Sequence, residues 1–262
     1  MKNFIKSFGV FFLLLFLFTG CLKDDDRKPI YYFYDEPAVV IQMGDNPLIR
    51  NESYVFHVPE LAGDTVLKAG NLLWTSFIVD LDNDVNYGED ILETYYHTAT
   101  QFRYQTVDSA KAVIPTDSIA FQSFLSDDYS APIELSVLYP YAIDSLWFFG
   151  FKQNDRSTNY TYELILNPTI EKNSNSYPTL YIRAKQTNAS SANSGKARSQ
   201  DGNVFAFDVA DFVKYYNDLN ISTNQVRFNL KYKTGVDANG NDIYRSFRSN
   251  PISWVFSAVR PE

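Results

Sequence analysis

The densest set of chemically capable side chains is Asp82, Asp84, Asn86, Asp90 and Glu93. Counted from Asp82, they fall at positions one, three, five, nine and twelve of a calcium loop of the EF-hand kind. A hard cation takes several oxygens from one tight loop, so the spacing has a physical basis. Two features oppose it. Tyr87 holds position six, where glycine makes the sharp turn, and Gly88 comes one residue late. The flanks also read as strands rather than helices, so a solvated hairpin loop is the plainer reading. Beyond calcium at these residues, no cofactor is expected.

The remaining inventory argues against catalysis. The two histidines, His57 and His97, lie far apart in sequence, and no Gly-x-Ser-x-Gly elbow accompanies them. A histidine-based zinc site would need more ligands at close spacing. Both histidines read as polar residues on a sheet or its edge. No Walker-type or Gly-x-Gly-x-x-Gly loop is present to cradle a phosphate. Glycoside hydrolysis needs two carboxylates facing one another across a cleft, and an acidic chain offers many pairs with no means of choosing. The chain therefore reads as non-enzymatic.

Aromatic residues make up 16% of the chain, with 19 Tyr and 21 Phe. Flat apolar faces with a polar edge suit carbohydrate surfaces. Tyr95-Tyr96, Tyr139-Pro140-Tyr141 and Tyr215-Tyr216 are the candidate platforms, although such residues also fill the cores and edges of β proteins. Formal net charge is −8. That field repels phosphate backbones and excludes a nucleic-acid partner.

The single cysteine, Cys21, rules out a disulfide framework and a multi-cysteine metal site. Its setting supplies another role. Lys2 and Lys6 precede an apolar run from Phe8 to Phe18, too short to span a bilayer and suited to a signal peptide over residues 1–20. Phe18-Thr19-Gly20-Cys21 resembles a lipobox, with Phe18 where Leu is commoner. Cleavage before Cys21 would leave a cysteine carrying lipid as the membrane tether. The following Leu22-Lys23-Asp24-Asp25-Asp26 is similar to the acidic signal that exports lipoproteins of Bacteroidota to the outside of the outer membrane. A solvated tether would show the same charges.

Positioning these residues falls to short apolar runs bounded by turns, the pattern of a small barrel or sandwich. Residues 21–36 read as an acidic linker. Residues 37–115 hold strand candidates at Ala38–Ile41, Ser53–Val58, Leu72–Val79 and Gln101–Gln105, and form the first expected domain. Residues 116–262 form the second, with strands at Ser145–Phe151, Tyr160–Leu166, Leu180–Lys185, Val226–Tyr232 and from Ile252. Period-two alternation is cleanest in Val226–Tyr232, with Val, Phe, Leu and Tyr against Arg, Asn and Lys. Asp237–Asn241 reads as a hairpin turn and 186–203 as a polar loop. One short helix is expected, capped by Asp208, with Val209, Phe212, Val213 and Tyr216 on one face.

Lys68-Ala69-Gly70 before Leu72-Leu73-Trp74, and later Phe102-Arg103-Tyr104, resemble the N-terminal OB-type domain of NigD-like lipoproteins of Bacteroidota. Asp144–Phe148, Thr179–Arg183, Phe207-Asp208-Val209 and the Val226, Phe228, Leu230 alternation resemble their C-terminal β-sandwich. The resemblance implies a mainly β protein, a small OB-like barrel followed by a sandwich, and it supplies no functional residues. The resulting expectation is a lipid-anchored accessory protein of the outer membrane or cell surface that docks on another envelope protein. The alternative is a surface protein that binds a glycan or other small extracellular ligand.

Overall fold

The computed structural model describes residues 29–80, 88–89, 95–125, 130–136, 141–152, 159–167, 178–187, 198–199, 202–218, 225–226, 228–248 and 252–253. The protein is mainly β, as expected. Its first sheet has seven strands in the order β5-β6-β3-β2-β1-β4-β7. These are β1 (Ile30–Gln42), β2 (Leu48–Arg50), β3 (Val55–His57), β4 (Leu72–Asp80), β5 (Gly88–Glu89), β6 (Tyr95–Thr98) and β7 (Thr100–Thr106). β6 joins β3 in parallel, β7 joins β4 antiparallel, and only Ala99 stands between them in the chain. The Ala99 amide donates to the His57 carbonyl at 2.8 Å, so the ladder passes from one partner to the other without a break. The described strands form no closed barrel.

β1 and β4 show why the sheet curls. Ala38, Val40, Leu73, Phe77 and Val79 alternate onto the inner face and build one core with Ile49, Phe56 and Ala99. A bulge between Phe33 and Glu36 shifts the register, with Asp35 at a φ of 53°. Such a bulge bends the strand sharply and lets one long strand serve two sides of a small curl. The strand reaches back to Ile30, so residues 30–36, which read as tether, are strand. Their aromatic run pairs residue by residue with β4, Tyr32 opposite Ile78 and Phe33 opposite Phe77.

Only Val107 lies between β7 and β8 (Asp108–Lys111), which already belongs to a second, six-stranded sheet. The chain thus changes sheets at Val107. This sheet holds β10 (Glu134–Leu135), β11 (Tyr141–Ile143), β12 (Leu146–Lys152), β15 (Arg198–Ser199) and β16 (Gly202–Asp208), with β8 parallel to β16. A third sheet of five strands contains β9 (Ser130–Ala131), β13 (Asn159–Leu166), β14 (Thr179–Thr187), β18 (Asn229–Val236) and β19 (Asp242–Arg248). β17 (Gln225–Val226) and β20 (Ile252–Ser253) pair separately. The run 226–232 is therefore split, its first residue pairing Ile252 and its later ones joining β14.

The second and third sheets pack as a sandwich around Trp147, Phe149, Phe151, Phe205 and Phe207 from one side and Tyr162, Leu164, Ile182, Leu230 and Tyr232 from the other. The opposite face of the second sheet, through Phe148, Val204 and Ala206, packs on Leu72, Trp74 and Val107 of the first half. Burial on both faces explains the unbroken apolar run Leu146–Phe151. The expected helix is present as α2 (Ala210–Asp218), and Asp208 Oδ1 accepts from the Ala210 amide at 3.0 Å. A second helix, α1 (Ser118–Leu125), was not expected from the sequence. Asp117 caps it, accepting from the Ala120 amide at 2.8 Å, and Phe121 packs edge-on against Tyr181. The hairpin at Asp237–Asn241 forms as read, with Gly240 at a φ of 84°.

Candidate binding site

One end of the curled first sheet opens as a cavity of about 220 Å³, lined by Tyr31, Phe33, Tyr54, Phe56, Val79 and His97. Alternation puts Tyr31 and Phe33 on the inner face of β1. His97 stands opposite Phe56 across the parallel pairing of β3 and β6. The floor is a cluster of three rings. Phe33 stacks on Phe77 at 4.6 Å, and both meet Phe56 edge-on, at 5.2 and 4.7 Å. Tyr54 forms the rim, edge-on to Phe56 at 6.2 Å and to His97 at 6.3 Å.

Tyr54 is held by a turn built around the buried Asn51. Asn51 Oδ1 accepts from the amides of Ser53 (3.0 Å) and Tyr54 (2.8 Å), and the Asn51 amide donates to the Tyr54 carbonyl at 3.1 Å. Asn51 Nδ2 donates to Glu36 Oε2 at 3.1 Å. Burial raises the Glu36 carboxyl above the usual carboxylate range; the Asn51 hydrogen bond opposes this and the nearby Glu52 charge adds to it. Ordinary ligand pockets start at about 300 Å³, so this one suits a single ring. Its walls offer flat faces, two phenols and an imidazole. Among the described residues, the lining contains no carboxylate. The arrangement can stack and hydrogen-bond a small ring.

The other residues singled out from the sequence are scattered. Cys21, Asp82, Asp84, Asn86, Asp90 and Glu93 lie outside the described residues. Among the described residues no group of His, Cys, Asp or Glu could hold a metal ion. His57 and His97 both lie on strands, as read. Only His97 faces the cavity. The His57 ring lies 5.7 Å from that of Tyr96, and its Nδ1 is buried without a hydrogen-bond partner. Burial lowers its pKa, against the pull of the Glu60 charge. Tyr139 and Pro140 are outside the described residues, Tyr141 leans edge-on against Trp74 at 5.6 Å, and Tyr215 packs on the sandwich core. The cavity uses Tyr31, Phe33 and Tyr54 instead. Their signal was the unbroken aromatic run Tyr31–Tyr34 and the alternation Tyr54-Val55-Phe56.

No family model and no curated protein matches the chain. Solved structures of Bacteroidota proteins do resemble it. An uncharacterized protein from Parabacteroides merdae matches at a TM-score of 0.57 and 17% identity, covering 85% of this chain and 99% of its own. A protein of unknown function, DUF1344, from Bacteroides vulgatus matches at 0.49 and 15%, covering 88% and 93%. A proposed lipoprotein from Bacteroides fragilis matches at 0.47 and 11%, covering 87% and 100%. At such identities the first of these likenesses shows a shared fold.

Proposed function

We propose that this chain is a non-catalytic envelope protein of NigD-like kind, tethered by lipid on Cys21, that binds one ring of a neutral glycan in the mouth of its first sheet. The carrying observation is the aromatic cavity itself, floored by Phe33 and Phe56 and rimmed by Tyr31 and Tyr54. Aromatic faces match the CH faces of a sugar, and phenol and imidazole groups can exchange hydrogen bonds with its hydroxyls. The acidic chain disfavours an anionic ligand. The lipobox-like Phe18–Cys21 and the acidic residues after it support display outside the outer membrane.

Docking on another envelope protein has less in its favour. It would use β edges or an apolar patch on the sandwich, and Phe148, Val204 and Ala206 pack one apolar face of the second sheet against the first half of the same chain. The decisive experiment is affinity electrophoresis of the protein through gels holding neutral polysaccharides, beside a Tyr54→Ala variant. Retardation by at least one glycan, lost in the variant, is the expected result. Equal mobility on every gel would contradict the reading, and retardation unchanged in the variant would move the site elsewhere.

A further inference from the structure

The outer face of β1 carries a second aromatic surface, separate from the cavity. Alternation turns Ile30, Tyr32 and Tyr34 away from the inner face that bears Tyr31 and Phe33. Tyr32 and Tyr34 stack at 6.1 Å with their planes 6° apart, and they are 56% and 68% exposed. Ile78 lies opposite Tyr32 on β4, extending the strip sideways. Farther along the same outer face, Val39, Leu72 and Trp74 are covered by the second sheet. No described residue covers the strip at the Ile30 end. Exposed tyrosines side by side on a sheet face call for an occupant.

The chain itself indicates which one. Ile30 comes nine residues after Cys21. A fully extended chain spans at most about 3.3–3.6 Å per residue, so the strip lies within about 32 Å of a lipid on Cys21. Along the chain, Ile30 is the first described strand residue after Cys21. Tyrosine belongs at bilayer interfaces, because its ring packs among acyl and glycerol groups while its hydroxyl stays wet.

We infer that Ile30, Tyr32 and Tyr34 seat on the lipid headgroup layer and fix the orientation of the folded protein on its membrane. The inference rests on the anchor at Cys21 and is independent of what the cavity binds. Asp35 and Asp80 flank the strip, with Asp80 opposite Ile30. The partner surface is therefore zwitterionic lipid, bound through ring burial rather than through charge. The lipid on Cys21 supplies the attachment; the strip supplies the direction.

The test reconstitutes the membrane-extracted protein into phosphatidylethanolamine and phosphatidylcholine vesicles. Acylation occupies the only native thiol, so Tyr32→Cys gives a single site for a polarity-sensitive dye, and Asn239→Cys gives a control in the β18–β19 turn. Both positions are exposed. At position 32 the expected emission shifts to the blue and is quenched by nitroxide lipids, with no change at position 239 and none on adding salt. Vesicle-bound protein whose dye at position 32 stays water-like would overturn the docking and leave the anchor standing. Equal quenching at both positions would overturn it too, as unspecific adhesion. A protein that fails to float with vesicles would overturn anchor and docking together, whereas loss of the glycan reading shows only in the polysaccharide gels.

Discussion

Trp147 and Phe148 are neighbours in the chain but belong to different cores. The Trp147 ring stacks on Phe228 at 5.1 Å inside the sandwich. Phe148 points the other way, into the layer shared with Leu72 and Trp74 of the first half. Both are 1% exposed. The second sheet is thus the middle of three layers, and the two halves of the chain share a buried apolar junction.

Because Phe148 belongs to that junction, Phe148→Ala removes packing from both halves at once. Truncating a buried Phe costs about 3–5 kcal/mol. Chemical denaturation followed separately by tryptophan fluorescence and far-UV circular dichroism should show one transition at a lower midpoint by both probes. A variant that melts the sandwich alone would mean that the halves are independent.

The polar rim of the junction should matter far less. Arg50 on β2 donates to Asp144 in the β11–β12 turn, Nη1 to Oδ1 at 3.3 Å, with a second, shorter bond from Nη2 to Oδ2. Their side chains are 25% and 37% exposed, and an ion pair so open to water contributes about 0–1 kcal/mol. A double-mutant cycle of Arg50→Ala and Asp144→Ala should return a coupling in that range. A much larger coupling would mean that the pair is screened from water.

Asn51→Ala tests the support of the cavity without touching its walls. It removes the acceptor for the Ser53 and Tyr54 amides and the donor to Glu36. Each ordinary hydrogen bond lost costs about 0.5–1.5 kcal/mol. Glycan retardation should weaken along with stability, because Tyr54 loses its fixed place. Full retardation with lowered stability would show that Tyr54 needs no such support.

Asp64 gives a pH dependence of known sign. Its Oδ1 accepts from the Val66 and Leu67 amides and its Oδ2 from the Tyr104 hydroxyl. These bonds, Leu67 first, hold the carboxyl below its ordinary value of 3.8. The unfolded chain therefore binds the proton more readily in that range. The stabilisation is fully present above pH 3.8 and is lost as pH falls through the lower folded value. Wild-type protein should exceed Asp64→Ala in thermal stability at pH 6, with the gap narrowing below pH 4. A gap that stays constant on acidification would contradict this.

Much of the framework was legible because it follows from side-chain period. Leu180–Lys185 alternates, and it is a strand; Val209, Phe212 and Val213 recur at helical spacing, and they lie in or beside α2. Less legible was anything decided by partners distant in sequence. Ile30–Tyr34 looked like the end of a tether because it follows an acidic run, and only its pairing with β4 makes it strand. α1 is a short helix whose Phe121 finds its place on Tyr181, a contact no local pattern announces. The cavity needs Tyr31 of β1, His97 of β6 and Tyr54 from the turn before β3 to converge, and the parallel join of β3 to β6 that brings His97 across leaves no mark in the sequence.

The most direct test of the account is a nuclear magnetic resonance titration of aromatic-labelled protein with neutral monosaccharides. The account predicts saturable shifts confined to Tyr31, Phe33, Tyr54, Phe56 and His97, abolished by Tyr54→Ala. Shifts absent from these rings, or spread over Tyr141 and Tyr215 instead, would contradict it.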